Sequence, residues 1–261
     1  ITYMKYLVLI TALFILLSSS CIYADDNNPQ PVINYSVLSP KSIFMQSGNI
    51  NTVFRTDGIL NYDRVTFSSS EAGLIWPVGS SQRLTAGYTA GIWIGAKVNI
   101  AANQKELRLA ASFYNSHFSP GNIPVNGQVP PISVCNDSAF NGYLVNLTDP
   151  SLVNGGIRSK IAGGRTYNFS YSPWSAWPVA LGAPYVEVNG VPGYQPGWNA
   201  DRPGTGVNNS RPSELIFMVY MDYTNCTNSP HVEELSLPGG SLPLGVEIQQ
   251  TAYSYLAAGL M

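Results

Sequence analysis

The chain is poor in the residues on which several classes of function depend. Charged residues make up only 11% of it, against roughly 25% in an average soluble domain. Its 13 basic and 15 acidic residues nearly cancel, leaving a formal net charge of −2, which excludes a strongly basic nucleic-acid-binding surface. Two histidines and three cysteines among 261 residues leave few ligands for zinc, which prefers them. We therefore expect no nucleic-acid partner and no metal or other cofactor.

Catalytic motifs are also missing. His117 precedes Phe118-Ser-Pro-Gly121, and His231 follows Pro230, so both have loop-like surroundings. No serine occupies a Gly-x-Ser-x-Gly elbow, and Asp201-Arg-Pro-Gly-Thr-Gly206 lacks the lysine of a phosphate-binding loop. Glycoside hydrolysis remains an alternative, because it needs only two carboxylates placed in space. Its candidates are Glu71, Asp201, Glu214, Asp222, Glu233 and Glu234. Nothing in their spacing pairs any two of them, so the sequence favours a non-catalytic protein and assigns no catalytic residue.

The N-terminal segment has the pattern of a secretory signal peptide. Lys5 is followed by an apolar run of about a dozen residues and then by small residues up to Ala24. We predict cleavage between Ala24 and Asp25, which would leave the mature chain without a membrane span. A membrane anchor is the alternative, but a stable span needs roughly 20 apolar residues.

The cysteines allow two interpretations. Cys21 would leave with the signal peptide, and Ser18 stands where a lipoprotein signal usually has leucine, so lipidation of Cys21 is a minor alternative. Cys135 and Cys226 remain in the mature chain. Export permits a disulfide between them, and two buried free thiols are the alternative.

The mature sequence is typical of short strands. Residues 106–114 alternate, with Leu107, Leu109, Ala111 and Phe113 on one side, which predicts a half-buried strand. Residues 246–255 alternate in the same way. The continuous apolar run 214–223 predicts a strand covered on both faces, with a short buried helix as the alternative. Further strand candidates are 52–56, 90–99, 142–148, 166–171 and 184–189. In the candidate strand 90–99 we expect Trp93 to lie in the core, where Gly91 and Gly95 leave room for its indole.

These strands define the predicted fold class. The chain contains 24 glycines and 19 prolines, many of them in turn clusters, and no long stretch after the signal has helical periodicity. We predict an all-β, antiparallel, jelly-roll-like β-sandwich with long Gly- and Pro-rich loops and little helix apart from the signal segment. The expected organisation is a signal peptide over 1–24, an extended segment over 25–44 and a single domain over 45–261.

Aromatic residues supply the candidate ligand-binding site. Trp174, Trp177, Tyr194 and Trp198 lie among prolines and glycines, and exposed rings of this kind can stack on the apolar face of a sugar. The alternative is that these rings pack into the sandwich, because large aromatic side chains are buried on average.

Two blocks of sequence carry a family resemblance. The first contains Leu74-Ile-Trp-Pro-Val-Gly79 and Thr89-Ala-Gly-Ile-Trp-Ile-Gly-Ala-Lys-Val-Asn99. The second contains Trp174-Ser-Ala-Trp-Pro178 and Pro243-Leu-Gly-Val-Glu-Ile-Gln-Gln-Thr-Ala-Tyr253. Together, over most of 45–255, they resemble the N-terminal region of large secreted proteins of Bacteroidetes-type bacteria, which often end in a sorting domain of the type IX secretion system.

The resemblance implies a location more than a chemistry. We expect a secreted or outer-surface, non-catalytic structural or binding module, here a fragment or a shortened relative of a larger exported protein. Its expected partners are the export machinery and extracellular polysaccharide or surface proteins, and a carbohydrate-binding module is the alternative function. Many relatives carry a calcium-like loop at the position of 187–194, but here only Glu187 and Asn189 remain as side-chain ligands. We expect a β-turn at Asn189-Gly190 and no metal there.

Overall fold

The computed structural model describes nine parts of the chain. These are residues 41–63, 71–112, 118–124, 134, 137–184, 186–188, 191–193, 212–222 and 242–254. All of them belong to one compact unit that spans 35–261. The predicted signal peptide therefore lies outside the described residues. Within the described residues, no helix is long and apolar enough to cross a membrane.

The regular structure of these parts is almost entirely β. The sixteen described strands are β1 (Ser42–Ser47), β2 (Ile50–Arg55), β3 (Tyr62–Asp63), β4 (Glu71–Ala72), β5 (Leu74–Ile75), β6 (Thr85–Gly87), β7 (Trp93–Ala101), β8 (Gln104–Ala111), β9 (Ser119–Pro120), β10 (Tyr143–Asn146), β11 (Asn154–Ala162), β12 (Arg165–Pro173), β13 (Val186–Val188), β14 (Val191–Gly193), β15 (Glu214–Met221) and β16 (Glu247–Ser254). Short 3₁₀ helices cover Ser138–Phe140, Trp174–Ala176 and Val179–Leu181. All strand pairs are antiparallel, and the predicted all-β, sandwich-like class is confirmed.

Strand β15 occupies the centre of the molecule. It pairs with β16 along its whole length and with β10 and β9 on its other edge, and all eight of its residues are buried. Alternate side chains enter two different clusters: Ile216, Met218 and Tyr220 lie in the first, and Leu215, Phe217 and Val219 lie in the second. A strand covered on both faces needs apolar residues at every position, which confirms the prediction made from the run 214–223.

The first cluster is the main core. It joins β15 to a four-stranded sheet in the order β1-β2-β5-β6 and to the hairpin of β11 and β12. Phe44 of β1 meets Tyr167 of β12 edge to face, with ring centroids 5.1 Å apart. Val246, Ile248 and Ala252 also pack against this core, as the alternation of 246–255 predicts.

All five further strand candidates are also found, and the candidate 90–99 overlaps β7. The candidates 52–56, 142–148 and 166–171 overlap β2, β10 and β12, and the candidate 184–189 contains β13. Strands β13 and β14 pair with Val188 opposite Val191. Two residues remain between the strands, as the predicted turn at Asn189-Gly190 requires, although these two residues lie outside the described part.

The hairpin of β7 and β8 contradicts two predictions. Trp93 is 68% exposed and Leu107 is 71% exposed, so neither lies in the core. Ile94 and Ala110 contact the core instead. The face that carries Ile94 and Ala110 turns inward because its polar groups find partners there. Arg108 donates to the carbonyl of Pro243 at 2.7 Å, and the Ser112 hydroxyl donates to the carbonyl of Gly58 at 3.0 Å.

Candidate functional site

Several predicted site residues cannot be placed. Tyr194, Trp198, Cys135, Cys226, Ala24 and Asp25 lie outside the described residues, as do His117, His231, Asp201, Glu233 and Glu234. The predicted disulfide and the cleavage site therefore remain predictions. Among the described residues, no group of three or more His, Cys, Asp or Glu side chains could hold a metal ion.

The two tryptophans of the 174–177 segment pack inward. Trp177 is only 6% exposed, its Nε1 donates to the carbonyl of Pro184 at 3.0 Å, and its ring meets that of Phe217 edge to face. Trp174 stacks on Trp177 with ring centroids 5.4 Å apart. The indole of Trp177 is thus part of the second core, which corrects its assignment to an exposed ligand-binding surface.

Asp222 is used as a structural anchor. It is fully buried, and its carboxylate accepts hydrogen bonds from the backbone N–H groups of Leu244, Gly245 and Val246. Three donors from one short segment hold the chain in position for its entry into β16. Both oxygens of this buried carboxylate therefore accept backbone hydrogen bonds, which gives Asp222 a structural role.

Glu214 lies at the centre of a buried polar cluster. Its Oε1 accepts hydrogen bonds from Lys160 Nζ at 2.9 Å and from the Tyr171 hydroxyl at 2.5 Å. Lys160 also donates to the carbonyl of Gln46 at 3.1 Å, and its ammonium lies 4.6 Å from the centre of the Phe169 ring. Burial, and then the hydrogen bond to Glu214, raise the pKa of the Tyr171 hydroxyl above its usual value of 10.0, so this phenol stays protonated and continues to donate.

A polar cavity of about 400 Å³ opens beside this cluster. It is lined by Gln46, Asn146, Thr148, Asp149, Pro150, Arg158, Lys160, Ser213 and Glu214. Two ion pairs border it, Lys160 with Glu214 and Arg158 with Asp149. The Asn146 side-chain oxygen accepts hydrogen bonds from the backbone N–H groups of Thr148 and Asp149, which fixes the loop that follows β10. We call this feature the polar cavity.

The polar cavity suits binding better than acid–base catalysis. Asp149 and Glu214 both line it, but each carboxylate is already paired with a cation. Hydrogen bonds from Ser151 lower the pKa of the Asp149 carboxyl below its usual value of 3.8. A general acid at neutral pH needs a raised pKa, so Asp149 is poorly suited to that role.

A second candidate site lies on the surface of the β7–β8 hairpin. Trp93, Leu107 and Leu109 are all exposed, and the pairing of Gly95 with Leu109 and of Lys97 with Leu107 places them on one face of the hairpin. We call this the outer hairpin face. The sequence pattern placed Leu107 and Leu109 on one side of a half-buried strand and assigned Trp93, in a separate strand candidate, to the core.

Comparison with protein families, with curated proteins and with solved structures gives no match to this chain.

Proposed function

We propose that the chain is a non-catalytic structural or binding module of the cell exterior, which contacts its partner through the outer hairpin face. The observation that supports this is the exposure of Trp93, Leu107 and Leu109 together on one regular hairpin. Single exposed apolar residues are ordinary, but neighbouring ones mark interaction surfaces. Trp is also among the residues enriched at interaction hot spots.

The signal-like segment and the family resemblance support an extracellular location. In this proposal the chain is exported by a secretion system of the type IX kind and forms the N-terminal part of a larger surface protein. Its partner is then another protein, or another part of the same polypeptide, at the outer surface of the cell.

Site-specific photo-crosslinking in the producing cells tests the proposal. A photoreactive residue replaces Leu107, and the control carries it at Val179, an exposed apolar residue of the short helix Val179–Leu181. We expect a discrete crosslinked protein band from position 107 that is absent from position 179, in a protein that protease can reach on intact cells. Equal crosslinking at both positions, or a protein that protease cannot reach on intact cells, would contradict the proposal.

Carbohydrate binding is the second candidate function. Trp93 is flanked on its own strand face by Gly95, which has no side chain, so the indole presents an open flat surface. Such a surface suits the apolar face of a pyranose. Pull-down with insoluble cellulose, chitin and xylan separates the two functions: retention that Trp93→Ala abolishes supports the carbohydrate function, and absence of retention removes it.

A further inference from the structure

We infer that the side chains of Lys160 and Asn146 react with each other to form an intramolecular isopeptide bond, and that Glu214 carries the protons in this reaction. The bond is a covalent modification that forms once in each chain, without turnover of a substrate. It ties β10 to the β11–β12 hairpin beside the main core. None of the three residues belongs to the outer hairpin face, so the inference is independent of the proposed surface function.

Strand pairing brings the three side chains to one place. Asn146 and Glu214 are direct partners in the β10–β15 ladder, and the side chains of direct partners share a face, with Cβ atoms about 4.5–5.5 Å apart. Lys160 reaches the same place from β11, with its Nζ 2.9 Å from Oε1 of Glu214. All three residues line the polar cavity. The amine and the carboxamide therefore flank one carboxylate.

Burial distinguishes this cluster from an ion pair on the surface. Asn146 is 5% exposed and Glu214 is 3% exposed, and the Lys160 ammonium lies 4.6 Å from the centre of the Phe169 ring. A lysine amine becomes a useful nucleophile in proteins when it is desolvated among apolar groups. The carboxylate of Glu214 is in direct contact with the ammonium and is placed to accept its proton.

The carboxamide of Asn146 is held in the way that an electrophile requires. Its Oδ1 accepts hydrogen bonds from the backbone N–H groups of Thr148 at 3.0 Å and of Asp149 at 2.8 Å. Attack on the carboxamide carbon places negative charge on this oxygen, and fixed backbone donors stabilise such a charge. The Tyr171 hydroxyl, which donates to Glu214, also has the Asn146 side chain as a hydrogen-bond partner. Hydrogen bonds thus connect the carboxylate with the carboxamide.

The reaction balances without a co-reactant. The Lys160 ammonium passes one proton to Glu214, and Nζ then forms a bond with Cγ of Asn146. The bond between Cγ and Nδ2 breaks as Glu214 gives that proton to Nδ2, and Nζ releases a second proton to the carboxylate. Ammonia leaves through the polar cavity and carries the second proton into solvent as ammonium. One amide replaces another, and the loss of ammonia to solvent drives the step forward.

Peptide mass spectrometry of the full, folded chain tests for the bond. Trypsin does not cut after an acylated lysine, so we expect residues 159–165 to remain together and to be joined to residues 109–158. The branched peptide should weigh one ammonia less than its two parts, and fragmentation should place the branch at Asn146 and Lys160. Two separate peptides of full mass would overturn the inference. Loss of one water would also overturn it, because the link would then involve a carboxyl group.

Variants assign the roles. Lys160→Arg keeps the positive charge but cannot form this amide, and it should abolish the branched peptide. Glu214→Gln keeps the shape of the side chain without a basic carboxylate, and it should lower the yield about tenfold or more, since a general acid–base group is lost. Lys97→Arg is the matched control, because Lys97 is exposed on β7, and it should form the bond as the wild type does.

Circular dichroism confirms that each variant folds, and if a variant fails to fold the branch sites in the wild type decide. An ammonia loss that persists in folded Lys160→Arg would belong to another asparagine and refute the bond. An undiminished yield in folded Glu214→Gln would refute the role of Glu214.

Discussion

Arg55 and Asp57 show how this chain uses its few charged residues. They form a bidentate ion pair with N–O distances of 3.1 and 2.8 Å, and their side chains are 1% and 7% exposed. Asp57 also accepts a hydrogen bond from the backbone N–H of Ile59. Because both groups are desolvated, loss of either partner would leave an uncompensated buried charge. Asp222 and Glu214 are likewise buried and held by hydrogen-bond or ion-pair partners. Many charged side chains among the described residues therefore have a structural role.

A first prediction at this scale concerns the carboxyl of Asp149. Ser151 donates to Asp149 Oδ1 from both its hydroxyl, at 2.7 Å, and its backbone N–H, at 2.9 Å. The hydroxyl is the leading cause of the lowered Asp149 pKa. We expect Ser151→Ala to raise the pKa of Asp149 toward 3.8, as measured by NMR titration of the carboxyl carbon. An unchanged pKa would show that the Ser151 hydroxyl does not stabilise the carboxylate.

The sign of the linked stability change follows from this shift. A lowered folded-state pKa stabilises the fold above the unfolded-state pKa, and this contribution is lost as the pH falls through the folded-state pKa. For Asp149 the loss therefore occurs in the acid range below 3.8. The effect on stability is small, since the group is partly exposed to solvent.

A second prediction compares two tryptophans. Trp177 fills the second core, so Trp177→Ala should lower the free energy of unfolding by about 3–5 kcal/mol. Trp93 is exposed, and Trp93→Ala should change the free energy of unfolding by no more than about 0.5 kcal/mol. Urea unfolding followed by circular dichroism measures both. Similar losses in the two variants would show that Trp93 is packed against the protein after all.

Two elements show what the pattern of a strand can and cannot predict. The run in β15 predicts a buried element, because apolar residues at every position need cover on both faces, and the sequence favours a strand over a short buried helix. The alternation in β8 separates two faces but does not say which one turns inward. Arg108 and Ser112 find hydrogen-bond partners in distant segments, Pro243 and Gly58. Such partners cannot be read from local sequence, and they turn the face of Arg108 and Ser112 inward, with Leu107 and Leu109 on the other face.

A third prediction belongs to this hairpin region. A Cβ added at Gly91 would lie 2.0 Å from the backbone oxygen of Ser112, whereas one added at Gly95 would find no atom closer than 3.9 Å. Gly91→Ala should therefore destabilise the fold, by about 1–3 kcal/mol for overpacking. Gly95→Ala, the matched control, should be neutral or slightly stabilising, since glycine weakens a strand interior. Thermal unfolding distinguishes them, and equal melting temperatures would refute the close approach at Gly91.

The polar cavity could not be predicted at the level of single elements. Gln46, Asn146, Lys160 and Glu214 come from four different strands, and no sequence spacing connects them. Only the pairing of β10 with β15 places Asn146 opposite Glu214. Sequence reasoning identified Glu214 as one of six carboxylates that could take part in chemistry, but its partners depend on the tertiary fold.

At the scale of the whole molecule, β15 connects the two cores. Its alternate side chains enter both clusters, so disruption of either one acts on the same strand. Glu214 at the start of β15 and Tyr220 near its end carry polar contacts into the main core: Tyr171 donates to Glu214, and Tyr220 donates to Gln250 Oε1 at 2.8 Å. We expect the described sheets to unfold together, with both buried tyrosines exposed in the same step.

This coupling leads to the fourth prediction, an alkaline loss of stability. Burial raises the pKa of both Tyr171 and Tyr220 above 10.0, with the hydrogen bond to Glu214 as the next cause for Tyr171 and the charge of Asp57 for Tyr220. A raised folded-state pKa contributes stability that is complete below the unfolded-state pKa and declines as the pH rises above it. The free energy of unfolding in urea should therefore fall between about pH 9 and pH 11. Tyr220→Phe should make this fall of the unfolding free energy with pH less steep. Tyr253→Phe, at a partly exposed position, should leave it as steep as in the wild type. A slope that Tyr220→Phe leaves unchanged would mean that the phenol of Tyr220 ionises without unfolding.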